Sequence, residues 1–205
     1  VAGQLEVVLT PAEHSAVARQ STANVEAYNL YLQGRHLVGR RVAAALQSAL
    51  EKFRAAIELD PDFGAAHAGV ADALSLMPQV GLMPFEEAHA QAEVAAKRAI
   101  ELDPATPTGY VSLAFVYLHL GNRATEVERL LAKALEINPD DATAEYYKGL
   151  LASDRLRMRD AASSLLRAAE LDPLTQAVAA NAGMTLSLLG RFDEAERLLK
   201  ATMEL

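Results

Sequence analysis

The chain has no cysteine and no tryptophan, and aromatic residues make up only 5% of it. Without cysteine there are no disulfides, no thiolate metal sites and no thiol nucleophile. No apolar run approaches the ~20 residues that a bilayer-spanning helix needs. Residues Val1 to Thr10 carry no positive charge and end in no small-residue cleavage site, so they do not read as a secretory signal. A cytoplasmic location and no membrane association are therefore expected. Basic charge is also short. Nineteen Lys and Arg stand against 27 Asp and Glu, for a net charge of −8. An acidic surface repels a polyphosphate backbone, so nucleic acid is a poor candidate partner. The densest basic cluster, Arg35, Arg40 and Arg41, reads as a solvated helix end. Alternating runs of β-branched and aromatic residues between turn signals are missing too, which leaves an all-α chain.

What is present is Ala and Leu, the residues that lose least on entering a helix. They are organised by a repeated phrase: Glu58-Leu59-Asp60-Pro61, Glu101-Leu102-Asp103-Pro104, Glu136-Ile137-Asn138-Pro139 and Glu170-Leu171-Asp172-Pro173. The prolines are spaced by 43, 35 and 34 residues. Each phrase closes a helical pattern, because Pro cannot continue a helix and moves the preceding residue out of the α region. Helix starts follow: Asp62, Thr106 before Pro107, Asp141 and Thr175 are the expected N-caps. Small residues recur in phase. Ala56, Ala99, Ala134 and Ala168 lie five residues before each Pro, and Ala71, Ala114, Gly149 and Gly183 lie ten after. Small residues at fixed helical offsets let two helix backbones approach closely.

This pattern resembles the tetratricopeptide repeat, whose unit is a pair of antiparallel helices with a 34-residue period. Tyr110, Leu113, Ala114, Tyr117, Gly121, Ala134 and Pro139 carry the resemblance in one unit, and Gly183, Gly190, Phe192 and Ala195 in the last. It implies a right-handed α-α superhelix of about five units over 28–205: 28–61, 62–104, 105–139, 140–173 and 174–205. The second unit has nine extra residues between its helices, around 77–85, which could act as a lid. The third carries one extra residue near Asn122. Residues 1–27 lie outside the array. There, Thr10-Pro11-Ala12-Glu13 has the form of a capping box and predicts a helix to about Gln20, followed by a polar connector from Ser21 to Asn24. Leu9 to Glu13, Thr22 to Arg35 and the second-unit turn (Gly81-Leu82, Pro84) also resemble repeat regions of bacterial adenylate cyclase-like proteins and winged-helix transcriptional regulators. That narrower resemblance implies a sensory or scaffolding module of a larger protein. The start at Val1 rather than Met points the same way.

Signatures of an enzyme are missing: no Gly-rich phosphate loop, no nucleophile elbow and no zinc-protease motif. No catalytic residue, metal site or cofactor is expected, and a small-molecule receptor or enzyme is a remote alternative. His89, with Glu86 and Glu93 at helical spacing, reads as a solvated amphipathic face, and His67 as a packing residue. In the resembling family, first helices line a concave groove. The corresponding positions here are Tyr31, Arg35, Asp72, Val111, Phe115, His119, Tyr146, Leu150 and Met184, with Ser75, Leu76, Asp154, Ala180 and Leu188 beside them. This lining reads as apolar with isolated polar groups. It lacks the Lys, Arg and Asn of a carboxylate clamp, so the expected occupant is an apolar peptide or helix of a partner protein, or a second copy of the chain. The last helix has no helix to cover it within this sequence. Its far face, with Leu198 or Leu199, Thr202 and Met203, is the rival surface, for a homodimer.

Overall fold

A computed structural model describes residues 22–121 and 123–203 of the chain, and ten helices run through them. They follow one another as pairs: α1 (Val25–Gly39) with α2 (Ala43–Leu59), α3 (Gly64–Leu76) with α4 (Phe85–Leu102), α5 (Thr108–Leu120) with α6 (Ala124–Ile137), α7 (Ala142–Asp154) with α8 (Met158–Leu171), and α9 (Gln176–Leu188) with α10 (Phe192–Met203). The expected helix from Thr10 to Gln20 and the extra residue at Asn122 lie outside the described residues.

The two helices of a pair differ in burial. In α3 nearly every residue from Gly64 to Leu76 is buried, and in α5 the run from Val111 to Tyr117 is. A helix apolar all round must be enclosed on most sides. By contrast α6 buries only Val127, Leu130, Leu131 and Ala134, a single stripe, and α8 behaves alike. α3 and α5 are therefore sandwiched, while α6 and α8 keep one face in solvent.

The Pro phrases act as the sequence predicts. Asp60, Asp103, Asn138 and Asp172 each end a helix in an extended or near-extended conformation, as the residue before Pro should. Three of them also accept a hydrogen bond from the backbone N–H two residues on: Asp60 from Asp62, Asn138 from Asp140 and Asp172 from Leu174, each at 3.2 Å. Such turns hold the chain between helices without a helix hydrogen bond. The helix starts follow the prediction less closely. Asp141 caps α7, taking the N–H of Ala144 at 2.8 Å. Thr175 sits at the N-cap of α9, but its hydroxyl goes to Asp172. Asp62 and Thr106 are not N-caps. Phe63 and Pro107 take those places without a side-chain cap, and the Thr106 hydroxyl donates back to the Asp103 carbonyl.

Layer-to-layer packing depends on small residues. Phe53 of α2 is fully buried between α1 and α3. A Cβ at Gly34 would lie 2.6 Å from its ring, and one at Gly69 nearer still. The second-unit insertion belongs to the same core. Met77–Val80 forms a 3-10 turn, Met77 is buried, and Val80, Leu82 and Met83 pack against the main cluster. It is a packed edge rather than a free lid.

Candidate functional site

Each first helix carries one small residue of the in-phase column. The residue after it is, in turn, Arg35, Asp72, Phe115, Leu150 and Met184. Repetition places these five in register along one face. Arg35 and Asp72 line one cavity, of about 120 Å³, with Val111, Ser112, Thr143 and Tyr147. Phe115 and Leu150 line the next, of about 350 Å³, with Arg41, His119, Tyr146 and Tyr147. Tyr147 belongs to both and divides them. Tyr31 stands at the near end, where its hydroxyl accepts a hydrogen bond from Arg35 at 3.2 Å and its ring meets Phe63 edge-on at 5.3 Å. Met184 is 59% exposed and lines neither cavity.

The lining is more polar than the sequence suggests. Apolar character rises along the groove, from Arg35 and Asp72 through Phe115 to Leu150 and Met184. By sequence Arg41 belongs to a solvated helix end. In the structure it is exposed just past the end of α1 and also lines the larger cavity. Its backbone is left-handed, with φ 49°. That conformation ends α1 abruptly and redirects the chain before α2. Gln79, from the second-unit insertion, lines the same cavity. Arg41, Gln79, Ser112, Tyr147 and Asn181 are the residues that sequence reasoning missed. A usable signal existed for Arg41: it falls seven residues after Gly34, the offset at which Gly121 follows Ala114 and Gly190 follows Gly183.

The aromatic groups form a continuous stack. Phe115 meets His119 edge-on at 4.4 Å and stacks on Tyr147 at 5.0 Å, with 13° between the planes. The Tyr146 hydroxyl accepts from Asn181 at 3.0 Å, which ties α7 to α9. His119 is held at both nitrogens, Nδ1 2.9 Å from the Phe115 carbonyl and Nε2 3.1 Å from the Gln79 amide. Burial pushes its pKa down, against the carbonyl hydrogen bond, and the charge of Arg41 adds to the shift. A neutral ring fits both bonds, with Nδ1–H donating and Nε2 accepting. Burial also raises the Asp72 carboxyl above its usual range, while Arg35 and a hydrogen bond from Ser112 oppose the shift. Tyr147 is pushed up by burial and by the charge of Asp72.

Two histidines weighed from sequence resolve differently. His67 lies 3.1 Å from the Pro61 carbonyl, in a local packing role. His89 is not on a solvated face. It is 3% exposed and stacks on Phe85 at 3.9 Å, with Nδ1 2.8 Å from the Phe85 carbonyl. The insertion covers that end of α4, which is why helical spacing alone misplaced it. Among the described residues no three His, Cys, Asp or Glu side chains are placed to hold a metal ion, and no helix is long and apolar enough to cross a membrane.

No protein-family model matches the sequence, and no curated protein matches it. Solved structures do match. TTC0263, a thermophilic TPR protein of Thermus thermophilus, superposes with a TM-score of 0.68 at 21% identity, covering 87% of this chain and 90% of that one. The chain has the tetratricopeptide fold. Human IFIT1, solved as a dimer with m7Gppp-AAAA, gives 0.72 at 16% identity over 94% of this chain and 44% of that one. MamA from Desulfovibrio magneticus RS-1 (41-end) gives 0.53 at 15% identity, covering 90% and 97%. Within the tetratricopeptide fold, first helices line the concave side. Both cavities are lined mainly by residues of first helices.

Proposed function

We propose that the concave groove holds a segment of a partner protein, and that the chain is an interaction scaffold of a larger bacterial regulatory protein. One observation carries the reading. The larger cavity brings Phe115, His119, Tyr146, Tyr147 and Leu150 from two first helices together with Arg41. Aromatic side chains beside an Arg are the composition of interface anchors, since they offer large contact area and directed hydrogen bonds at little entropic cost. Tyr31, Arg35, Asp72 and Val111 extend the surface toward the first unit, and Met184 extends it as an apolar end. The regulatory setting rests on the resemblance of Thr22 to Arg35 and of the second-unit turn to signalling proteins.

The test is a pull-down with the repeat array, comparing wild type with the double variant Arg41→Glu, Tyr146→Ala. Arg41 is exposed and Tyr146 half-buried, so the variant should lose some stability with the Tyr146–Asn181 bond, remain folded by its melting curve, and lose the partner. Phe115→Ala is a poorer probe, because emptying a buried aromatic site costs about 3–5 kcal/mol of stability. Equal recovery with a folded double variant would remove the groove from consideration.

A second reading has its own observation. At the far end, Met184, Leu188 (68% exposed) and Phe192 (65% exposed) present apolar surface on α9 and at the start of α10. A second copy of the chain could cover it. Light scattering separates the readings, because self-association predicts a mass that rises with concentration.

A further inference from the structure

We propose that the chain has a second binding site, for a small neutral apolar molecule, in the cleft between α6, α7 and α8. The cleft has a volume of about 390 Å³ and is walled by Leu131, Leu135, Leu151, Ala132 and Ala152. Clefts of roughly 300–1,000 Å³ with apolar walls and few polar groups are the usual form of small-molecule sites. Ser164 of α8 contributes the lining's one hydroxyl. This cleft is separate from the groove: α7 turns Tyr146, Tyr147 and Leu150 to the groove, but Lys148, Leu151 and Ala152 to the cleft.

One buried position of the repeat is truncated at this junction, and a small residue stands at its rim. Three residues after the small residue, the other first helices carry Leu37, Leu74, Tyr117 and Leu186; α7 carries Ala152. In the last pair, Leu186 is fully buried against Ala162 and Ala195 and fills the space between α8 and α10. Ala152 is also buried, at 3% exposure, but stops several carbons short. Seven residues before each Pro, the second helices carry Arg54, Lys97 and Leu166; α6 carries Ala132. Stacked repeats gain stability from filled junctions, and a missing side chain leaves its neighbours without contacts. The truncation at Ala152, open to the rim past Ala132, therefore makes an apolar cleft that a ligand can complete.

The rim sets the ligand class. Arg157 is held by Glu128 at 2.8 Å and Lys148 by Glu145 at 3.1 Å. Both rim cations are paired, and Glu128 and Asp160 balance their charge, so the rim does not favour an anion, while the walls favour an aliphatic or aromatic body. The void left by a Leu or Tyr side chain, widened at Ala132, suits a molecule the size of a bicyclic ring with one polar group within reach of Ser164.

Indole is a suitable probe. Titrated into the whole chain with labelled leucine methyl groups, it should shift Leu131, Leu135 and Leu151 saturably and leave Leu76 and Leu150 of the groove unchanged. Ala152→Leu restores the side chain of the other units. It should weaken indole binding at least about tenfold and, by filling the cleft, raise the melting temperature by roughly 2–4 °C. Should that variant fold poorly, Ala132→Leu narrows the cleft from its rim and should weaken indole alike. Absence of saturable shifts at the three leucines with indole at its solubility limit overturns the proposal. So does unchanged affinity in a folded filled variant.

Discussion

Leu156 occupies a backbone conformation that suits almost no leucine. Its φ is 58° and its side chain is 79% exposed, so no packing offsets the strain. The same offset from the small residue holds Gly121 and Gly190, at φ 70° and 75°. A left-handed residue with a Cβ costs roughly 1–2 kcal/mol, and Gly loses some of that benefit to unfolded-state entropy. Leu156→Gly should therefore raise stability by about 0.5–1 kcal/mol in urea unfolding; a loss would mean that Leu156 packs in solution. Asp72 is the second residue held against its preference. Its carboxyl pKa is raised in the folded chain, chiefly by burial. A raised folded pKa contributes stability below the unfolded pKa and loses it as pH rises through the folded value. At neutral pH the ionised group is thus a cost. Asp72→Asn should be at least as stable as wild type at pH 7, with the advantage fading as pH falls into the range of ordinary carboxylates. A residue kept at such a cost within the groove fits a binding role, so the same variant should also weaken partner recovery.

Among the helices, the close approach of α1 and α3 to Phe53 sets the tightest constraint. Gly is a poor residue for a helix interior, and Ala would ordinarily gain about 1 kcal/mol there. At Gly69 a new Cβ would meet Phe53 Cδ1 at 2.6 Å, and Gly34 closes the other side. Overpacking a filled core costs about 1–3 kcal/mol. Gly69→Ala should consequently be destabilising by about 1–2 kcal/mol despite its better helix propensity, which a melt or urea titration reads directly. The column of small residues at Ala71, Ala114, Gly149 and Gly183 was legible from spacing. Gly69 was not, because it lies outside that column, and only the placement of Phe53 shows its use.

Across the whole array, buried residues do not form one continuous core. A single cluster extends from Leu46 of α2 to Leu151 of α7. Beyond it, α8 to α10 hold two small clusters, one around Ala162, Leu186 and Ala195 and one around Ala168, Ala169 and Val178. The cleft at Ala152 lies at this boundary. Solenoid stability is nearly a sum of unit and junction terms, so a weak junction divides the array into separate cooperative parts. Hydrogen exchange should show α8, α9 and α10 opening at lower free energy than α3 to α6. Equal protection along the array would count against the division.

The sequence by itself determined the all-α class, the number and order of helices over 28–203 and the turn at every Pro phrase. These follow from local chemistry: Pro ends a helix wherever it stands, and a fixed period of small residues fixes which helix faces meet. It also placed Arg35, Asp72, Phe115 and Leu150 on one face, since repetition copies orientation from unit to unit. Tertiary structure decided the rest. Arg41 joins the groove through a left-handed turn, Tyr147 divides it in two, and His89 is buried beside His119 of the next helix pair. The last two do not depend on local pattern. Each arises where side chains distant in sequence compete for one volume, and only the stacked array shows which of them occupies it.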